Sequence, residues 1–260
     1  MIELVYIVNF VGMIGLPILA AVYAKRKFHL SWKLFLAGGI TYIAVQIPHL
    51  LLVVTTSKVM QSWGVIANAL ALGLLAGLFE ETARYILFKF ILKKSRTWSE
   101  GLFVGLGHSG TESIIFGAMA ALVFVSMLAY RYTDPTSTIT SASGQATEQQ
   151  LAVTYWSRPL HEALLGLGER IFAICLHTSL SIIVLHSVIQ RKSAWYWLAV
   201  LLHTAVDGAA AFIGQQAGGL SLGVVAAVAF FAAAGVGIAI WLKLRFDNAT
   251  AAGAKFQLNG

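Results

Sequence analysis

Seven runs of apolar residues, each long enough to cross a bilayer, leave this chain few ways to fold. A spanning helix needs about 20 predominantly apolar residues at a rise of about 1.5 Å each. That criterion marks 3–24, 34–54, 64–88, 102–130, 159–189, 195–214 and 220–242. With 58% hydrophobic and 11% charged residues and a mean hydropathy of +0.78, the composition is far from that of a water-soluble domain. The expected fold is all-α: one polytopic membrane helix bundle over residues 1–260, with the lipid bilayer as its surroundings. The polar segment 131–158, rich in Ser, Thr, Gln and Gly, carries too little apolar material to fold separately and reads as an outer loop. Tyr155-Trp156 at its end and Trp195-Tyr196-Trp197 read as interfacial anchors.

The net charge of +7 is explained by where the basic residues fall, so no nucleic-acid partner is called for. They gather in alternate connections: Lys25, Arg26, Lys27 and Lys33; Lys89, Lys93, Lys94 and Arg96; Arg191 and Lys192; Lys243, Arg245 and Lys255. Lys58, Arg131 and Arg158 fall in the others. By the positive-inside rule the N-terminus is outside and the C-terminus cytoplasmic. Met1-Ile2-Glu3 offers no basic leader, so the first run reads as a retained span. The single cysteine, Cys175, rules out an intramolecular disulfide and a cysteine-based zinc site.

Against this apolar background, charged residues inside the spans stand out. A charge near the bilayer centre costs roughly 2.5–3.5 kcal/mol on insertion scales, so such residues face a bundle interior and serve a task. The third run carries Glu80, Glu81 and Arg84; the fourth His108 and Glu112; the fifth Glu169, Arg170 and His177; the sixth His203 and Asp207. Glu80 lies 13 residues from Lys93, His108 12 from Arg96, His177 14 from Arg191 and His203 11 from Lys192. At the helical rise, four helices bring polar groups to one level, about 16–21 Å from the basic boundary. Glu169 and Arg170, 22 and 21 residues from Arg191, fall off that level and read as a structural pair.

Residues four apart share a helix face. His108 with Glu112 and His203 with Asp207 are therefore expected as histidine–carboxylate pairs, each carboxylate fixing its ring. Arg84 can neutralise one of Glu80 and Glu81 and leave the other free as a general base or acid. Gly73, Gly77, Gly105, Gly107 and Gly110 surround these positions and allow close helix approach. The first, second and seventh runs have nothing comparable in their centres. His29, His49, His161 and His186 read as interfacial.

Four motifs in order carry a resemblance. Glu80-Glu81-Thr82-Ala83-Arg84, Gly107-His108-Ser109-Gly110-Thr111-Glu112, Glu169-Arg170-Ile171-Phe172-Ala173 leading to His177, and His203-Thr204-Ala205-Val206-Asp207 resemble the YhfC family of predicted intramembrane peptidases. That family is similar to the PrsW proteases and, more distantly, to the type II CAAX prenyl endopeptidases and related bacterial self-immunity proteins. The resemblance implies a catalytic core over about 64–214 in a bacterial plasma membrane, acting on a membrane-protein or peptide substrate. By motif, Glu80 would activate the water, Glu81 and Arg84 would support it, and His203 with Asp207 would form the last motif. The spacing from the glutamate pair to the arginine is one residue shorter than in the CAAX enzymes. Their Phe-x-x-x-His stands here as His108-x-x-x-Glu112. Prenylated substrates do not follow from it.

The chemistry expected is peptide-bond hydrolysis by glutamate-activated water, with His203 and His108 donating to the oxyanion or leaving amine. A zinc-assisted variant fits the same residues, with nitrogens from His108, His177 and His203 and Glu80 as base. The residues do not choose between them. Glu, His and Asp in a bundle also build proton- or ion-coupled transporters, but no inverted repeat accompanies them here. A catalytically silent peptide-binding protein is the remaining alternative.

Overall fold

The computed structural model describes residues 1–132 and 151–258, with side chains as far as Leu244. All regular structure among them is helical: α1 (Ile2–Phe28), α2 (Trp32–Ser62), α3 (Val65–Ile86), α4 (Trp98–Tyr132), α5 (Leu165–Gln190), α6 (Ser193–Ala217) and α7 (Leu222–Leu258). A π-helical turn, Leu87–Ile91, extends α3, and a 3₁₀ turn, Glu162–Leu164, precedes α5. Seven of the described segments are long and apolar enough to cross a membrane, the last over Leu222–Leu244. Each expected run is recovered, and most of the helices extend past the apolar limits by several residues. Of the polar segment 131–158, residues 133–150 lie outside the described residues, and 151–156 are helical.

Short connections are closed by local chemistry. α1 ends on His29 and α5 on Arg191, both in the left-handed conformation at φ 53°, with the His29 amide donating to the Lys25 carbonyl. Such a residue ends a helix by satisfying carbonyls of its last turn. Thr97 and Glu100 open α4 as a reciprocal pair: the Thr97 amide donates to the Glu100 carboxylate at 2.9 Å, and the Glu100 amide to the Thr97 hydroxyl at 3.3 Å. This satisfies two of the free N–H groups of the first turn.

α5 is the central helix. Of its membrane-crossing window 72% is buried inside the bundle, against 17–39% for the other six, and Leu180, Ile183, Val184 and Leu185 are fully enclosed. α4 and α7 flank it, α1 and α2 pack on α4, and α3 lies along α6. Small residues set the closest approaches. A Cβ at Gly77 of α3 would stand 2.8 Å from the Val200 carbonyl oxygen of α6, and one at Gly105 of α4 would stand 2.6 Å from Thr178 Cα of α5. Neither contact is sterically possible, so these crossings require glycine. Tyr155 stacks on Tyr6, Trp156 meets Tyr6 and Phe124 edge-on, and Trp156 donates to the Met127 carbonyl at 3.1 Å. Trp195 packs between His186 and Trp241, and His186 is buried against its neighbours.

Candidate active site

Glu80 is the hub of the polar interior. Its Oε2 lies 2.9 Å from His108 Nε2, 3.4 Å from Arg84 Nη2, 3.8 Å from His203 Nε2 and 4.0 Å from His177 Nδ1. Its Oε1 accepts from Gln46 Nε2 at 2.9 Å. α3, α4, α5 and α6 thus meet at one carboxylate, as the common depth of the four residues predicts, and α2 joins them through Gln46. The neighbouring Glu81 is fully buried. It pairs with Arg84 Nη1 and accepts from His203 Nδ1 at 2.7 Å. Arg84 therefore takes up the charge of Glu81 most directly and touches Glu80 from one side.

The histidines are held in different ways. Arg84 Nη2 donates to His177 Nδ1 at 3.0 Å; because a guanidinium only donates, that nitrogen carries the lone pair. His177 Nε2 then faces Glu112 Oε2 at 3.4 Å. His203 stands between Glu81 and Asp207, whose Oδ2 is 3.3 Å from its Nε2, as the i, i+4 spacing predicts. The other same-helix expectation fails: Glu112 leaves His108 and turns to Arg170 Nη1 at 2.8 Å and to His177. His108 bonds Glu80 instead, because the facing helix brings a carboxylate nearer than its own helix does. The i, i+4 rule fixes a shared face and leaves the partner to packing.

A cavity of about 340 Å³ reaches this cluster. Its polar lining is His49, Glu80, Glu112, Glu169, Arg170, His177 and Asp207. His108, Glu81, Arg84 and His203 lie behind the wall, each at most 1% exposed at the side chain. Two sequence expectations change here. Glu169 and Arg170 are joined to each other and, through Glu112, to His177, so this pair belongs to the cluster. His49, read as interfacial, lines the cavity and bonds Gln46 Oε1 at 3.1 Å. Gln46 itself gave no signal, because a neutral amide costs less to bury than a charge and falls outside a criterion that marks ionisable residues.

Three of the residues converge as a set of metal donors. Glu80, His108 and His177, all buried, each offer one ligand atom, and these atoms lie within 4.8 Å of one another. The set differs from the three-histidine one expected: His203 has both ring nitrogens turned to carboxylates, and Glu80 takes the third place. Two nitrogens and a carboxylate oxygen are a donor set used by hydrolytic zinc sites. Charge points the same way. Glu80, Glu81, Glu112, Glu169 and Asp207 stand against only Arg84 and Arg170, leaving three negative charges for protons or a cation to balance. The residues fit a divalent ion.

The chain matches the family described as YhfC intramembrane metalloprotease over residues 12–230. It belongs to that family. The match takes in α2 to α6 and every residue of the cluster. A relative, the uncharacterized membrane protein YhfC of Bacillus subtilis strain 168, is 31% identical over 202 residues, covering 72% of this chain and 76% of the relative. No solved structure matches the chain. The protein is therefore a multi-pass membrane protein of a metalloprotease family, with a bacterial homologue.

Proposed function

We infer that this protein hydrolyses a peptide bond of a membrane-associated substrate inside the bundle, with Glu80 as the carboxylate that takes the proton from the attacking water. The observation that carries this reading is the position of Glu80: it is both the hub of the buried cluster and part of the wall of the cavity. A cavity lined by four carboxylates, an arginine and two histidines can hold water at a depth where hydrocarbon cannot supply it.

The other residues take roles from their contacts. His177 and Arg170, beside Glu80 and Glu112 in the cavity wall, are donors that stand where a developing oxyanion or a leaving amine can be met. His108 and Gln46 orient Glu80 from either side. Glu81 and Asp207 hold His203 behind the wall, which supports a positioning role for it. A divalent ion would be held by Glu80, His108 and His177, and when bound it supplies Lewis acidity toward a substrate carbonyl. Glu80 Oε2 turns to the histidines, and Oε1 accepts one hydrogen bond from Gln46, which leaves a second lone pair on Oε1 to take the water proton.

The placement in a plasma membrane with the N-terminus outside is supported by the alternation of basic connections. The test is cleavage of a panel of transmembrane peptides by detergent-purified protein beside Glu80→Gln, with the fold of both checked by size-exclusion profile and circular dichroism. A base of this kind contributes about 10²–10⁴-fold, so cleavage should fall at least that far in a folded Glu80→Gln. Undiminished cleavage would overturn the assignment.

A further inference from the structure

The cavity at Glu80 continues past the residues that carry its chemistry. Val53 of α2 and Leu72 of α3 line it, and both also line a second space of about 450 Å³ bounded by Ser57, Met60, Gln61, Asn68 and Gln215. The two spaces share these walls and so adjoin end to end between the C-terminal half of α2, the N-terminal half of α3 and the end of α6, a row of spaces termed the cleft. It leads from Glu80 to the α2–α3 turn. Three amide side chains and a hydroxyl border its outer part, with Gln215 Nε2 donating to Asn68 Oδ1 at 3.4 Å. A separate space of about 430 Å³, between α1, α4, α5 and α7, has an almost wholly apolar lining of residues such as Leu16, Leu102 and Ile174.

Asn68 is buried at the start of α3, whereas Gln61 and Gln215 are exposed near the ends of α2 and α6, so the amides run from the mouth of the cleft inward, and the buried one has a cost unless water or another polar chain satisfies it. A polypeptide about to be cut has the complementary need, because a strand drawn out of its helix leaves main-chain N–H and C=O groups without partners. From Asn68 to Glu80 the cleft follows α3 for about 18 Å at the helical rise, which is room for about five extended residues at about 3.3 Å each.

We propose that this cleft is a hydrated groove that takes the substrate's chain in extended form from the α2–α3 end, with Gln61, Asn68 and Gln215 hydrogen-bonding its main chain. The substrate class that fits is a membrane-crossing segment whose stretch near that end unwinds readily, through glycine, proline or polar residues. This deepens the peptidase reading and rests on it for the identity of the occupant.

Two measurements test it. In a Cys175→Ala background, Val53→Cys and Val54→Cys are treated in proteoliposomes with a charged, membrane-impermeant methanethiosulfonate. Val54 is 68% exposed on the outside of α2, so lipid covers it, whereas Val53 lines the cleft. A thiol must ionise in water to react, so Val53→Cys should be modified roughly tenfold faster or more. Equal rates, or the faster rate at Val54→Cys, would overturn the hydrated groove. Second, benzoylphenylalanine placed at Gln61 should crosslink a leucine- and alanine-rich transmembrane peptide carrying a Gly-Pro pair near one end, and the same probe at Leu102 should not. No crosslink at Gln61 would overturn the peptide site. A crosslink at Gln61 from a protein that cleaves nothing would keep the groove and sink the peptidase reading.

Discussion

At the scale of single residues, the cost of burying charge is what made the site visible. Glu80, Glu81, Arg84, His108, Glu112, His177, His203 and Asp207 were all legible, because each is expensive in a bilayer and needs a reason to be there. Gln46 was not, though it is bonded to Glu80 Oε1. Replacing it by leucine removes one neutral donor to a carboxylate and leaves the donor set of Glu80, His108 and His177 intact. Gln46→Leu should therefore lower the cleavage rate by about tenfold, the worth of one such bond, with the fold and bound-metal content unchanged. A peptide-cleavage assay beside metal analysis checks both. Arg84 is the opposite case: it touches Glu80, Glu81 and His177 and is fully enclosed. Arg84→Met strands a buried carboxylate, which costs about 3–5 kcal/mol. The double variant Glu81→Gln/Arg84→Met removes both charges and should be less destabilised than the single one, a difference readable in unfolding titrations as a double-mutant cycle.

At the scale of elements, hydropathy alone located the seven helices, and counting from the basic ends placed Glu80, His108, His177 and His203 at one depth. That count set Glu169 and Arg170 apart, and they do pair with each other, but it did not show their link to the cluster. It measures position along a helix axis, and Arg170 has a side chain long enough to reach Glu112 from a neighbouring level. Nor could it show which helix faces which: the pairing of α3 with α6 depends on Gly73 and Gly77 facing Thr204, Val200 and Gly208, and the same glycines would read alike against any partner. Because this crossing holds Glu81 against His203, it should be sensitive to bulk. Gly77→Val puts side-chain carbon into the Val200 carbonyl and the Thr204 hydroxyl, and overpacking of this kind costs about 1–3 kcal/mol. The variant should melt at a lower temperature and cleave more slowly, whereas Gly237→Val, where added carbon meets nothing within 4 Å, should match the parent. Thermal unfolding followed by tryptophan fluorescence separates the two.

At the scale of the whole molecule, the bundle concentrates negative charge where it is least tolerated. Five carboxylates and two guanidiniums share the interior and its cavity, and the fold must answer the deficit with protons or with a cation. The two answers differ in measurable ways. An ion that binds the folded state alone stabilises it by mass action, about 2.7 kcal/mol at a hundredfold excess over its dissociation constant. If Glu80, His108 and His177 hold one, protein purified without chelator should carry roughly one divalent ion per chain, and stripping it should lower the melting temperature as well as stop cleavage. His108→Ala/His177→Ala should then carry no ion, and adding zinc back should raise the melting temperature of the stripped parent and leave that of the double variant where it is. Stability and cleavage that both survive stringent chelation would remove the metal from the account. The balance would then fall to protons shared among Glu80, Glu112, Glu169 and the histidines, and Glu80 would have to activate water with Gln46, His108, His177, His203 and Arg84 around it.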